Sequence, residues 1–361
     1  MLHTIEVFVV AFLFSFGIGY LVYRLVAGAI RRRHVELDRA AGNPIVTPGE
    51  HAWEAGGTFN PTAVKSGGDT HLFYRAVGQD GVSRIGYARS RDGVTVDERL
   101  PFPVFALGRP FAPVVRDARP PRHPGLLASG GSWAGAEDPR AIVLDGRLYL
   151  SFSAFSGWDS VRIGVASLGL DELADRRWKW SAPVFLSAPN EVSKNWVIFP
   201  ERIGGKIAVL HSLHSGSRDR VLVDYLESLD EQPATFIRSK FAPISDSGRW
   251  DSTLRGAAAP PIRTPRGWLL LYHATSANEP HRYKLGAMLL DLKDPSKVTG
   301  RSPAPILAPD AHYENSGAKA GVVYACGAVA EGDTLRVYYG ASDSWSCVAE
   351  TSLSALLGSM S

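Results

Sequence analysis

An all-β chain, folded as a five-bladed β-propeller behind one apolar N-terminal helix, is what this sequence predicts. Three observations carry that prediction. Apolar and polar residues alternate in short runs, with no long amphipathic helical period. The 36 Gly and 24 Pro of the 361 residues are scattered rather than clustered, as many turns require. One strand phrase also recurs five times: Thr70-His-Leu-Phe-Tyr74, Gly146-Arg-Leu-Tyr-Leu150, Gly205-Lys-Ile-Ala-Val209, Gly267-Trp-Leu-Leu-Leu271 and Asp333-Thr-Leu-Arg-Val337. Its central residues, Leu72, Leu148, Ile207, Leu269 and Leu335, lie roughly 60 to 75 residues apart, a spacing that marks repeated supersecondary units.

The first element in chain order is the apolar stretch. Val7 to Tyr23 carries no Asp, Glu, Lys or Arg, and Leu25–Ile30 extend it if Arg24 snorkels to the interface. A secretory signal would need positive charge before this stretch, and Met1–Glu6 has no Lys or Arg. Residues 1–33 are therefore expected to be a transmembrane anchor, with its helix over about residues 6–30 and a basic flank at Arg31-Arg32-Arg33. That flank predicts that the anchor's C-terminal side, and the body that follows, lie in the cytoplasm. Residues 34–51 read as a polar tether, and 52–361 as the propeller.

Within the body, a second phrase follows the first in three units: Arg84-Ile-Gly-Tyr-Ala88, Arg162-Ile-Gly-Val-Ala166 and Lys284-Leu-Gly-Ala-Met288. A further strand precedes the first phrase and is expected to open on proline, at Asn60-Pro61, Asp138-Pro139, Phe199-Pro200 and Pro260-Pro261. Three or four strands per unit in five units make a propeller, whose first strands line the central axis. The residues opening those strands then converge on one funnel: Asn60, Glu137-Asp138-Pro139-Arg140, Lys194, Asn195 and Arg255. Ends of second strands add Arg75, His211, His273 and Asp343.

Composition excludes other classes. With 39 basic and 36 acidic residues and no long basic run, nothing points to nucleic acid as a partner. Nine Trp, fifteen Phe and twelve Tyr exclude a disordered chain. Cys326 and Cys347 form neither a disulfide framework nor a metal-ligand pattern, so no metal or organic cofactor is expected.

Phe59-Asn60-Pro61, Tyr74-Arg75-Ala76, Ser83 to Gly93 and Glu137-Asp138-Pro139-Arg140 resemble glycoside hydrolase family 130. Phe199-Pro-Glu-Arg-Ile203, Gly286-Ala-Met-Leu-Leu-Asp291 and Tyr338-Tyr-Gly-Ala-Ser-Asp343 continue the match in order, from roughly Trp53 to Asp343. The resemblance implies a five-bladed propeller acting on β-mannosides, mostly by inverting phosphorolysis that yields mannose 1-phosphate. It makes Asp138 the catalytic acid, protonating the leaving oxygen through the mannose 3-hydroxyl. It places sugar contacts at His273 and Tyr283; from their positions at the funnel, Asn60, Arg75, Arg140 and Asp343 are assigned to the sugar, Glu137 to sugar hydroxyls or to restraining Arg140, and Lys194, Asn195, His211 and Arg255 to phosphate. Inorganic phosphate is then a co-substrate, and a β-mannoside oligosaccharide or glycan the partner, with the membrane reached through the anchor.

The attacking group decides the reaction. Phosphate needs a cationic pocket, whereas water needs a second carboxylate to activate it. Phosphorylases of the family typically carry His-Arg where this chain has His211-Ser212, which leaves Arg255 or Arg202 to supply charge. Glu201 and Asp251 are the candidate bases for hydrolysis, and a related mannosyltransferase or a glycan-binding propeller are the other readings. Trp53, Trp196 and Trp250 either stack on sugar or pack blades.

Overall fold

The computed structural model describes residues 34–108, 129–158, 160–239 and 248–360. A short strand, β1 (Asp38–Arg39), comes first. Among the described residues the strands that follow fall into five antiparallel units. The first holds β2 (Gly57–Ser66), β3 (Asp69–Val77), β4 (Val82–Ser90) and β5 (Glu98–Arg99). In the second are β6 (Ala134–Leu144), β7 (Arg147–Phe155), β8 (Val161–Gly169) and β9 (Val184–Phe185). A third has three strands, β10 (Val197–Ile203), β11 (Lys206–Ser212) and β12 (Leu222–Leu226). The fourth is built from β13 (Thr253–Ala257), β14 (Ile262–Thr264), β15 (Gly267–Ser276), β16 (Glu279–Leu290) and β17 (Val298–Arg301). The last comprises β18 (Val323–Glu331), β19 (Thr334–Ala341) and β20 (Trp345–Ser352). All five recurrences of the strand phrase lie on the strand second in sheet order: β3, β7, β11, β15, with which both β13 and β14 pair, and β19.

The apolar cores show how the units are arranged, because each core joins two neighbours. Phe73 and Tyr87 of the first unit pack with Leu148 and Phe152 of the second. Ile142 and Val165 pack with Ile207 and Val209, joining second to third. Val197 and Leu210 meet Trp268 and Tyr272, and Leu269 and Leu285 meet Val337 and Tyr339. Tyr74 and Leu72 meet Tyr338 and Val348, which returns the fifth unit to the first. That is a closed ring of five blades, each sheet burying both faces against its neighbours. Blades one and two are additionally stitched by a parallel pairing of β4 with β6 at Ser83↔Gly135. Gly135 has φ +112°, and a Cβ there would lie 2.1 Å from the Ser83 carbonyl oxygen, so the close approach needs glycine.

Three of the four proline sites do not open strands, whereas Pro260-Pro261 stands directly before β14. Pro61, Pro139 and Pro200 lie inside β2, β6 and β10, where the ladder skips residues between Phe59 and Thr62, Glu137 and Arg140, and Ile198 and Arg202. A bulge leaves its extra residue without a ladder partner, so the missing proline N–H costs nothing there. The same irregularity recurs at Arg255 in β13 and at Cys326 in β18, giving every innermost strand one.

Two further expectations are corrected. The described helices are α1 (Leu170–Ala174) and α2 (Leu353–Ser359). No helix among the described residues is long and apolar enough to cross a membrane. At 1.5 Å per residue these two span about 10 Å or less, against about 30 Å of bilayer core. The helix expected over residues 6–30 lies outside the described residues, so the described fold is a mostly-β propeller and the expected transmembrane helix and membrane partner have no support here. Residues 34–51 are not a free tether either. β1 adds to the fifth blade by pairing Asp38↔Glu350 and Arg39↔Ala349 with β20, and Val46 bridges to Ser346. Arg39 also donates Nε and Nη2 to the two oxygens of fully buried Glu314, at 2.8 Å each, and Tyr339 donates to the same carboxylate at 2.8 Å.

Arg39→Ala should therefore leave Glu314 buried without its cation and cost about 3 kcal/mol. Urea unfolding of the variant checks this, and an unchanged midpoint would mean that β1 does not help to close the ring.

Candidate active site

The repeated bulge builds the site. At Asn60 and Asp138 the bulged residue takes φ values of 52° and 51°, a left-handed conformation that Asn and Asp tolerate best among residues with a Cβ. That twist turns each side chain out of its sheet and toward the axis. Gly340, on β19, leaves room for Asn60, because a Cβ there would sit 2.0 Å from the Asn60 Oδ1. The two bulges meet where Asn60 Nδ2 donates to Asp138 Oδ1 at 2.7 Å.

Asp138 stands at the floor of a funnel of about 270 Å³. Its wall includes Asn60, Arg75, Ser129, Trp158, Lys194, Asn195, Arg255, Tyr283, Lys319, Tyr324 and Asp343. Arg75, 2% exposed, donates Nη1 to Asp138 at 3.1 Å and Nη2 to Glu137 at 3.0 Å, while its Nε reaches Ser83 Oγ at 2.9 Å. Glu137 is wholly buried behind that pair. It also accepts from Ser129 at 2.8 Å, Ser132 at 3.0 Å and Lys194 Nζ at 3.1 Å. Burial alone would raise the Asp138 carboxyl, but the nearby charges of Arg75, Lys194 and Arg140, with the Asn60 hydrogen bond, hold it well below the usual carboxylate range. These protein groups thus favour the Asp138 anion over the loaded acid that general-acid chemistry requires. Asp343, the other funnel carboxylate, is shifted the opposite way: its burial and the Asp138 charge outweigh Lys319, Arg75 and Lys194.

The remaining assignments divide. Asn60, Arg75, Asp138, Lys194, Asn195, Arg255, Tyr283 and Asp343 all line the funnel. Arg140 does not. Its donors are spent on Ala258 O at 2.7 Å, Ala257 O at 3.2 Å, Asp138 O at 3.1 Å and Asn195 Oδ1 at 3.3 Å, so it ties the second blade to the fourth beneath the floor. Glu137 is sealed behind Arg75 and cannot meet a sugar directly. His273 is fully buried under Tyr324, with ring centroids 3.9 Å apart, and burial with the Arg140 charge pulls its imidazole down to about 3. His211 lines a small adjoining cavity of about 20 Å³ that shares Lys194, Asn195 and Arg255 with the funnel. Burial lowers its imidazole too, keeping it neutral near pH 7.

Neither candidate hydrolytic base reaches the funnel. Glu201 is exposed, 3.5 Å from Arg263, and buried Asp251 is consumed by Arg218 at 2.7 Å, Arg249 at 3.0 Å and Tyr272 at 2.9 Å. Trp53, Trp196 and Trp250 pack elsewhere: Trp250 stacks on Tyr272 and Trp196 tilts against His211. Among the described residues no group of three His, Cys, Asp or Glu side chains is arranged to hold a metal.

Sequence reasoning missed Ser129, Trp158, Lys319 and Tyr324. Tyr324 was within reach, since it precedes the fifth blade's bulge at Cys326, and its hydroxyl donates to Asn195 Oδ1. Lys319 comes from the loop before β18, and its Nζ stands 4.6 Å from the Tyr283 ring centroid, with Arg255 5.1 Å from the same ring. Neither cation forms an ion pair with a carboxylate among the described residues.

Comparison with known proteins places these residues in context. The family described as beta-1,4-mannooligosaccharide phosphorylase matches residues 47–361. A 1,2-beta-oligomannan phosphorylase of Thermoanaerobacter sp. (strain X514) is 34% identical over 319 residues, 86% of this chain and 95% of that one. A beta-1,2-mannobiose phosphorylase of the same strain is 33% identical over 321 residues, 85% of this chain and 94% of the other. The solved structure of the beta-1,2-mannobiose phosphorylase from Listeria innocua in complex with beta-1,2-mannobiose superposes with a TM-score of 0.67 at 25% identity, covering 90% of this chain and 98% of that one.

The opposite shifts of the two funnel carboxylates predict opposite stability effects. Asp138 is depressed, so its ionised form stabilises the fold above the ordinary Asp value of about 3.9, and that contribution fades as pH falls through the folded value. Asp343 is raised, so its charge weighs against folding at neutral pH and ceases to do so as pH falls toward about 3.9. At pH 7, Asp138→Asn should lower the urea midpoint and Asp343→Asn should raise it, and the Asp343→Asn gain should vanish near pH 4.

Proposed function

Because the chain belongs to glycoside hydrolase family 130, we propose that its funnel cleaves β-mannosidic bonds by phosphorolysis with inversion, releasing α-mannose 1-phosphate, and that the bond is a β-1,2 linkage. The linkage follows the relatives named for 1,2-linked oligomannan and mannobiose. The observation that carries phosphorolysis is the pair Arg255 and Lys319, two cations that line the funnel with Asp138 and make no ion pair among the described residues, with only the field of Asp343 reaching Lys319. A cationic wall suits a phosphate oxyanion, whereas a water nucleophile would need a base, and the candidate bases Glu201 and Asp251 are engaged elsewhere.

The step runs as an in-line displacement. A phosphate oxygen attacks the anomeric carbon, the bond to the leaving sugar breaks on the opposite face, and the leaving oxygen takes a proton. Asn60 and Arg75 hold the Asp138 carboxylate at the floor, where the mannose binds. Lys194 is engaged by Glu137 and Ser129 and contributes its field, while Asn195 donates to the Arg255 carbonyl beside it. Asp138 acquires its proton because phosphate arrives. One unit charge at roughly 5 Å in an effective dielectric of about 20 costs about 3 kcal/mol, or about 2 pKa units, and a dianion doubles this. The bound oxyanion thereby offsets the cations that keep Asp138 ionised and turns it into an acid. Within the family that proton travels through the mannose 3-hydroxyl.

Incubating the enzyme with β-1,2-mannobiose, with and without phosphate, tests the reading by ³¹P NMR and sugar chromatography. α-Mannose 1-phosphate and one mannose should form only with phosphate, and Asp138→Asn should lower kcat by about 10²–10⁴-fold. Two mannoses per disaccharide, formed at a rate independent of phosphate, would overturn it.

A further inference from the structure

We propose that Trp158 is the wall on which the leaving sugar stacks, so that it governs how tightly the reducing-side sugar is held; this rests on the phosphorolysis reading above. The funnel has a depth gradient. Asp138, Arg75 and Asn60 at the floor are 4%, 2% and 3% exposed, whereas Trp158 is 40% exposed. The mannose undergoing displacement must place its anomeric carbon near Asp138, so the sugar it leaves behind lies further out, at the level of Trp158.

Trp158 and the two unpaired cations come from different blades. Phosphate and leaving sugar occupy opposite faces of the reacting carbon in an inverting displacement. Arg255 of the fourth blade and Lys319, just ahead of the fifth, converge on Tyr283. Trp158 instead stands at the turn between β7 and β8 of the second blade.

The indole is exposed yet fixed. Phe155 meets it edge-on at 5.2 Å and 74°, and Lys194 Nζ lies 5.1 Å from its centroid. Lys194 is in turn pinned to Glu137 and Ser129, so the ring is braced by the same charge cluster that holds Asp138. The other large exposed apolar side chains, Phe102, Leu222 and Tyr225, lie outside the funnel wall. An aromatic face is electron-rich and complements the polarised C–H face of a pyranose, and a ring held rigid in advance loses little entropy on stacking.

The test compares two substrates that share phosphate and mannose but differ in what leaves. With β-1,2-mannobiose a sugar departs. With β-mannosyl fluoride the C1–F bond breaks as C1–O–P forms, fluoride leaves as the anion, and no sugar occupies the outer position. Trp158→Ala should raise KM for mannobiose about 10-fold, while kcat/KM for mannosyl fluoride and KM for phosphate change less than about twofold. Trp158→Phe should restore most of the mannobiose affinity. Equal losses on both substrates, or no change on mannobiose, would overturn the assignment. Wild-type enzyme giving no mannose 1-phosphate from either substrate would overturn the phosphorolysis reading, and this inference with it.

Discussion

The structure depends on one buried arrangement of charge: the Arg75 guanidinium held between Asp138 and Glu137, with Lys194 on the far side of Glu137. Carboxylates and cations this deep are costly to desolvate and persist only when paired and hydrogen-bonded. Here every oxygen of Glu137 has donors, and Arg75 has a partner on each nitrogen. The group couples two blades, because Arg75 comes from the second strand of the first and both carboxylates from the first strand of the second. It also sets the charge state of the floor, since the cations that make the cluster stable are those that keep Asp138 ionised.

Backbone geometry delivers those side chains. A bulge in each innermost strand breaks the ladder, and at Asn60, Asp138 and Arg255 the freed residue lines the funnel. In the first two blades that residue is Asn60 or Asp138 in a left-handed conformation, which costs about 1–2 kcal/mol for a residue with a Cβ. Their mutual hydrogen bond and the pairing with Arg75 offset that cost. Arg140 completes the arrangement from below by joining the second blade's bulge to the backbone of Ala257 and Ala258 in the fourth. It is a positioning residue for Asp138 and Asn195 rather than a group that meets substrate.

Much of this was legible in the sequence, and the rest was hidden for physical reasons. A recurring strand phrase located all five second strands, because a sheet buried on both faces has to repeat its apolar pattern. The same repeat register led to Asn60, Asp138, Asn195 and Arg255. Proline was misleading about strand ends, since a bulge accommodates it as well as a terminus does. Which charges face the funnel was not legible: Arg140 and Arg75 look alike in the chain, and only the three-dimensional partners show one spent on carbonyls and the other on Asp138. Lys319, Ser129 and Trp158 lie on connections or a turn that the repeat does not govern, so no spacing pointed to them. The segment at 34–51 looked like a polar tether because its pairing partner, β20, is some 300 residues away along the chain.

The central claim is that the cation cluster keeps Asp138 ionised until an oxyanion arrives beside it. Infrared difference spectra between wild type and Asp138→Asn isolate the Asp138 carboxyl, and sulfate serves as an oxyanion with no titration of its own near neutrality. At pH 5.5 the account predicts no protonated-carboxyl band from the enzyme alone, and a band once sulfate and mannose fill the funnel. A carboxyl already protonated in the empty enzyme, or one that stays ionised with sulfate bound, would contradict it.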